Sequence, residues 1–575
     1  MVIARRDMDR LDREAHTRAE SGSYPLLCIR SQHLSALRNM DSCSLTMAEA
    51  VPLPRGEFRH KNPFLDATGD SCPIHKLPVD ILSYLFEIVA DGLRNATTRY
   101  VVVIDSDDPR PSGDVPMEFQ PGALTPWLPV SQVCHYWHDI AISTLSLWAV
   151  IHIPPRVTRV QSCPPFCCIA TQLERSKEFP LDIRIHLDDF SYYPSVLLHT
   201  ICNTLLAQVC RWRSIEVKVT RADDMYEILD AISEAHIPIA PQLKSVMLIS
   251  SVDDFTFDPS KDYIKSKRFV LFRSSAPHLE TISLIMRVNI DWNQPWISSA
   301  SDLVTLEICV TSVLRLSWIQ FATILRGAPN LQVLTMFDDI QPDSGVDWSD
   351  SNIGSTSGNN SIVPNLPIKL PRLRQLHISP YSSAVQTYRN CYIPALKELT
   401  ISSDYFAGQD NVDVLVAQLV GPQAVTCTPA SKSSEVQLLH TRNQSHSSLA
   451  GVERLHIDYT WQHWSTGHTD SVYCILNQLT SLSLRGPYEP TFINLLFTPT
   501  GQLCDVRLPQ LKTLIISYGF CSVYIRHICT LAWHRKDTGV PLRTIIIMQV
   551  RRGTFPKDCL LWFQENLETF TSLEY

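Results

Sequence analysis

One short pattern recurs through the second half of this chain and limits its fold more than any other feature: a proline, then apolar residues two, five and seven positions later. The clearest copies are Pro241-Gln-Leu-Lys-Ser-Val-Met-Leu, Pro277-His-Leu-Glu-Thr-Ile-Ser-Leu, Pro329-Asn-Leu-Gln-Val-Leu-Thr-Met and Pro371-Arg-Leu-Arg-Gln-Leu-His-Ile, joined by those starting at Pro394 and Pro509. Weaker copies start at Leu303, Val452, Leu479 and Leu542, so the first apolar positions fall at 243, 279, 303, 331, 373, 396, 452, 479, 511 and 542, spaced 23 to 56 residues apart. With that residue as position 1, positions 4 and 6 point to the same side of a short strand. A single unit cannot bury such a face alone. Copies stacked side by side form a continuous parallel sheet over a shared core, which is the solenoid arrangement.

Helices are expected between the strands. Trp318, Phe321, Ala322 and Leu325 make an apolar stripe at helical spacing, with Ser317 as its cap and Gly327 with Pro329 as its stop. Similar stripes occur at Val412–Leu419, Phe492–Phe497 and Ile525–Trp533. Upstream, Leu181 to Leu187 alternates as a strand, Leu197, Ile201, Leu205 and Val209 share a helical face, and strand character returns at Trp212.

Residues 74–150 follow a different pattern. Pro78 can open a helix on which Ile81, Leu82, Leu85, Ile88 and Val89 fall on one face, with Gly92 as its stop. A Pro/Asp-rich loop at Asp105 follows, then a second helical region through Val130, Val133, Trp137, Ile140 and Ala141 to Trp148. The expected layout is a disordered arm at 1–70, a small all-α module at 74–150 with an inserted loop at about 95–125, and an α/β repeat array at 179–575. Disordered excursions are expected at 338–365 and 421–448, because structureless loops in compact domains are usually shorter.

At 575 residues the chain exceeds the roughly 250–300 at which a single core stops growing. A net charge of −8 provides no basic field for nucleic acid. No run approaches about 18 apolar residues, and the opening residues lack a secretory pattern, so the reading is a cytoplasmic or nuclear protein without membrane contact. Seventeen scattered cysteines read as reduced thiols. Phosphate-loop, dinucleotide, zinc-helix and serine-elbow motifs are absent, so no catalysis, metal or cofactor is expected. His135 and His138 read as a solvated pair, and Cys163, Cys167 and Cys168 as thiols without zinc spacing.

The recurring unit resembles the leucine-rich repeat, although position 9, where that family uses Asn or Cys, holds residues such as Ser251, Arg287 and Thr311. Without an asparagine ladder the expectation is an irregular, flatter solenoid. Leu77-Pro-Val-Asp-Ile-Leu-Ser-Tyr-Leu-Phe-Glu-Ile-Val resembles the opening helix of an F-box, and Val133-Cys-His-Tyr-Trp-His-Asp-Ile-Ala resembles its second block. The resemblance implies that Leu77, Pro78, Ile81, Leu82 and Leu85, with Val133, Cys134 and Trp137, pack on a Skp-type adaptor. That adaptor links to a cullin and a ubiquitin-charging RING enzyme. The implied function is the substrate-recognition subunit of a ubiquitin ligase; the alternative is a non-catalytic repeat scaffold with no ligase role.

For the client protein, the geometry directs attention to positions 2, 3 and 5, which leave the core face. Arg372, Arg374 and Lys397 would favour acidic or phosphorylated clients. Trp292 and Trp296, and Trp461 and Trp464, are candidate aromatic anchors, with core cover as the alternative.

Overall fold

The structure is a computed structural model, described for residues 77–98, 130–153, 165–187, 195–235, 240–250, 267–273, 276–286, 288, 290–310, 316–336, 368–378, 391–402, 448–458, 473, 476–485, 496, 508–517, 522–550 and 555–574. The chain divides into two units, 1–81 and 82–575. The first contributes only Leu77 to Ile81, including the start of a helix.

That helix, α1 (Val79–Thr98), runs past the stop expected at Gly92 and occupies the first residues of the supposed 95–125 loop. One interior glycine costs only about 1 kcal/mol, and Arg94, Asn95 and Ala96 continue the turn. The second helical region is two helices, α2 (His135–Ser143) and α3 (Leu145–Trp148). Thr144 breaks them in an extended conformation, and its hydroxyl donates to the Ile140 carbonyl at 2.8 Å.

From Val150 the chain enters a 14-stranded sheet in which every described pairing is parallel. Its first half is β1 (Val150–Ile153), α4 (Pro165–Ser176), β2 (Leu181–Leu187), α5 (Ser195–Leu206), β3 (Trp212–Val219), α6 (Ala222–Glu234), β4 (Ser245–Ser250), β5 (Thr281–Met286), α7 (Pro295–Ser298), β6 (Thr305–Val310), α8 (Trp318–Gly327) and β7 (Val333–Met336). Next come β8 (Ile368–Lys369), β9 (Gln375–Ile378), β10 (Cys391–Tyr392), β11 (Glu398–Ser402), β12 (Arg454–Asp458), β13 (Ser481–Arg485), β14 (Thr513–Ser517), α9 (Ser522–Asp537), β15 (Thr544–Val550), α10 (Lys557–Asn566) and β16 (Thr569–Glu574). β8 and β10 pair separately with each other. The array thus begins at Val150, earlier than the expected residue 179, and follows the helical module after one residue, Ala149.

Position 4 of every copy lies in one row, with Val246 opposite Ile282, Leu306 opposite Leu334, and Leu399 opposite Leu455. The row extends past the recognisable copies to Ile151, Ile183 and Ile215 at one end and Phe570 at the other. Ile151 through Ile545 are almost fully buried along it. Each such Leu or Ile is worth about 1.5–3 kcal/mol when buried, so the row is a continuous stabilising seam. One hydrophobic core runs from Ala149 to Phe563.

The excursions expected at 338–365 and 421–448 lie outside the described residues, apart from Ser448. Their flanking strands pair directly all the same: Val333 with Gln375, and Glu398 with Arg454. Ragged spacing in sequence therefore becomes uniform register in space.

Helix α8 begins as expected. The Ser317 hydroxyl accepts from Gln320 N at 3.3 Å, and the Gln320 side chain accepts from Ser317 N at 3.0 Å, a reciprocal capping box. At its far end a Cβ on Gly327 would stand 2.2 Å from the Ser298 carbonyl oxygen, so glycine is what lets α8 approach α7. In α9, Ile525, Ile528 and Leu531 face the core as expected. Arg535 is buried beside them and donates to the Leu508 and Leu511 carbonyls, tying the helix to the turn before β14. Val412–Leu419 lies outside the described residues.

Trp292 and Trp296 are corrected as client anchors: they are 6% and 0% exposed and belong to the core. Phe272 packs edge-on against Trp296 at 5.8 Å. Burying two indoles gains more than presenting them to solvent, and this end of the core supplies the space. Trp461 and Trp464 lie outside the described residues.

Candidate functional site

Among the described residues, one surface on the helical module and one on the sheet hold the residues that the sequence assigned to partners. On α1, Leu82, Phe86 and Ala90, spaced four apart, are buried. The Phe86 ring meets Trp137 at 5.0 Å, Thr144 donates to the Ser83 hydroxyl at 3.1 Å, and Ser146 donates to Glu87. Leu82 is therefore corrected as an adaptor contact. A helix that docks on α2 and α3 must bury one stripe, and Leu82 is in it.

The opposite side of α1 is apolar and exposed: Tyr84 at 61%, Ile88 at 49%, Val89 at 44% and Leu85 at 37%. Val133 and Tyr136 are exposed in the same module. Ile81 and Pro78 are also exposed, and Leu77 is half-buried. Trp137 is half-buried against Phe86, with a buried indole nitrogen that lacks a partner. Cys134 caps α2, its sulfur accepting from Trp137 N at 3.5 Å. Both residues serve the module's own packing. His135 and His138 are exposed, as read, although His138 Nδ1 lies 3.2 Å from the Ser131 carbonyl.

On the sheet, positions 3, 5 and 7 form the face away from the core. The predicted cations stand at its rim instead. Arg372 precedes its strand in a turn, where it donates to Asn330 at 2.7 Å, and Lys397 forms an ion pair with Glu453 at 2.6 Å. Arg374 is exposed beside them. Rim charges alternate in the same way elsewhere, with Lys244 on Glu280 and Arg543 on Glu568.

The face itself carries charges that sequence reading passed over. At one end Glu216 of β3 gathers His186 at 3.1 Å, Lys218 at 2.5 Å and Arg184 at 3.7 Å. Burial alone would raise its carboxyl, but the hydrogen bonds from His186 and Lys218 prevail and hold it at about 2. Neighbouring His152 is pulled down to about 3, first by burial and then by His186 and Arg184, so it stays neutral. In the middle, position 5 reads Met247, Ser283, Glu307, Thr335, His377 across adjacent strands. Ser283 donates to Glu307 at 2.6 Å, and Thr335 Oγ1 lies 3.4 Å from His377 Nδ1. Burial lowers His377 and His456 from their ordinary value. Further along, Arg454 pairs with Glu398 at 2.5 Å and Arg485 with Asp458 at 3.9 Å. Aligning position 5 of the copies would have exposed this row from sequence.

Among the described residues no cluster of three metal-ligating side chains occurs, and no helix is long and apolar enough to cross a membrane. No family model and no curated protein matches the chain. Solved structures do match, among them the crystal structure of a protein from Bacteroides fragilis. It shows 14% identity and a TM-score of 0.27 over 70% of this chain and 78% of that one, a likeness too loose to carry an argument.

Proposed function

We propose that this chain is the substrate-recognition subunit of a cullin–RING ubiquitin ligase, with an F-box docking a Skp-type adaptor and the sheet face receiving a client. The observation that carries the reading is the exposed apolar side of α1, with Tyr84, Leu85, Ile88 and Val89 outward while Leu82 and Phe86 are buried. A small module that packs Leu82 and Phe86 inward, yet still presents large apolar side chains, gains by laying that face in a partner's groove. The Leu77-Pro78 start and the Val133-Cys134 block give that groove its family identity. Ubiquitin transfer belongs to other subunits in this scheme, and the proposed setting is the cytoplasm or nucleus.

The test is co-purification with a recombinant Skp-type adaptor. A Leu85→Ala, Ile88→Ala double variant, and separately Leu77→Ala with Pro78→Ala, should lose the adaptor, and the first should melt like wild type because both of its side chains are exposed. Retained binding in both variants would sink the reading. A repeat scaffold without a ligase role is the second reading, favoured by one observation: Trp148 is buried under Arg175 and leads directly into β1. In that case the module caps the sheet, and wild type recovers no adaptor at all.

A further inference from the structure

The acidic residues in the described ion pairs on the sheet face each meet a cation: Glu216 meets Lys218 on its own strand and Arg184 on the next, Glu398 meets Arg454, and Asp458 meets Arg485. Glu307 is the exception among the described residues. It is half-buried at position 5 of β6, and the hydrogen bond from Ser283 uses one of roughly four acceptor sites on its carboxylate. The nearest titratable neighbour in the row, His377, cannot supply the missing charge, since burial keeps its ring neutral. Its Nε2 is buried without a partner.

The surroundings narrow what could complete Glu307. Ser283 and Thr335, both small, flank it in the row, and larger Met247 and His377 stand one strand further out on either side. On the β4–β5 side Met247, Ile249 and Ile285 are half-buried apolar neighbours. An acceptor beside an apolar strip fits a side chain with a hydrocarbon stem and a cationic head. A divalent metal ion would require several oxygen ligands, and one carboxylate is too few.

We propose that Glu307 is a specificity site that receives a lysine or arginine side chain of the client, its stem lying along Met247, Ile249 and Ile285. This rests on the reading of the sheet face as the client surface, and it is independent of the adaptor contact on α1. The rim cations Arg372 and Arg374 would then engage acidic residues elsewhere in the same client, so that a client segment of mixed charge is read by both.

The experiment uses the full chain, immobilised, and a random dodecapeptide display library as the probe. Enriched peptides are synthesised and titrated by fluorescence anisotropy. Enrichment of Lys or Arg is expected, with affinity falling at least tenfold when the peptide's basic residue becomes Gln, and by a similar factor in Glu307→Gln. The two changes together should cost no more than one alone, which marks direct contact. The peptide-side change cannot affect folding of the protein. Binders without a basic residue, no binders, or basic peptides that bind Glu307→Gln as tightly as wild type would each overturn the proposal. The adaptor assay is run on wild type in parallel: if it binds adaptor but no basic peptide, the client site fails and the F-box reading stands.

Discussion

Lys397 and Glu453 lie 56 residues apart in sequence and form an ion pair at 2.6 Å across two adjacent strands. The pair exists because β11 and β12 are neighbours, with 403–447 falling between them in the chain. It also neutralises a cation that sequence reading had assigned to the client. Because both partners are about half exposed, the pair itself adds little stability, on the order of 0–1 kcal/mol. Its value is as a marker of register.

That register predicts tolerance to deletion in the companion interval. Met336 and Gln375 bound residues 337–374, and removing 343–362 leaves 6 + 12 residues to cross back, more than the dozen or so a parallel connection needs. The shortened chain should melt cooperatively within a few degrees of wild type. Loss of the transition would mean that the excised residues contribute to the core.

Gly327→Ala should destabilise the array. Its Cβ would meet the Ser298 carbonyl oxygen at 2.2 Å, backbone that can yield only by parting α8 from α7, at about 1–3 kcal/mol. Gly451→Ala is the control, with its nearest neighbour at 3.4 Å. Chemical denaturation should lower the midpoint for the first variant and leave it nearly unchanged for the second.

Acid should weaken the β1–β3 end of the sheet in two stages. In the unfolded chain His152 takes up a proton near 6.5, whereas in the fold burial, His186 and Arg184 hold it to about 3. The unfolded state therefore binds more protons across that window, and stability falls as pH drops through it, by at most about 1.4 kcal/mol per pH unit. Glu216 adds a second loss below 4.5, continuing toward about 2, because its carboxylate must be protonated in the unfolded state first. His152→Gln should flatten the denaturation midpoint between pH 6.5 and 4.5, and Glu216→Gln between 4.5 and 3. Unchanged slopes in both variants would remove this cluster as the cause.

The strands were legible because a period of two with Pro-x-Leu ahead of it is a local property, and stacking is the way such faces are buried. The copies at Pro241 and Pro509 needed no tertiary knowledge to be read as strands of one sheet, and Ser317 with Gly327 marked a helix by chemistry confined to its own ends. The strands β1 and β16 were missed because both lack the proline, β1 has Trp148 in place of the first leucine, and β16, which has Leu567 there, carries Ser572 at the third apolar position. Their places are set by hydrogen bonding to neighbours already in the sheet.

The partner residues were less legible, since an amphipathic pattern records which residues are apolar and leaves open which of two apolar faces is covered. Leu82 and Leu85 are one turn apart and equally apolar, yet packing of α1 on Trp137 and Thr144 buries the first and leaves the second outside. Trp292 and Trp296 could have been anchors until the core closed over them. Charge is non-local in the same sense. Whether Lys397 is balanced and Glu307 is not depends on which strands become neighbours, and that was decided by the register of the whole sheet.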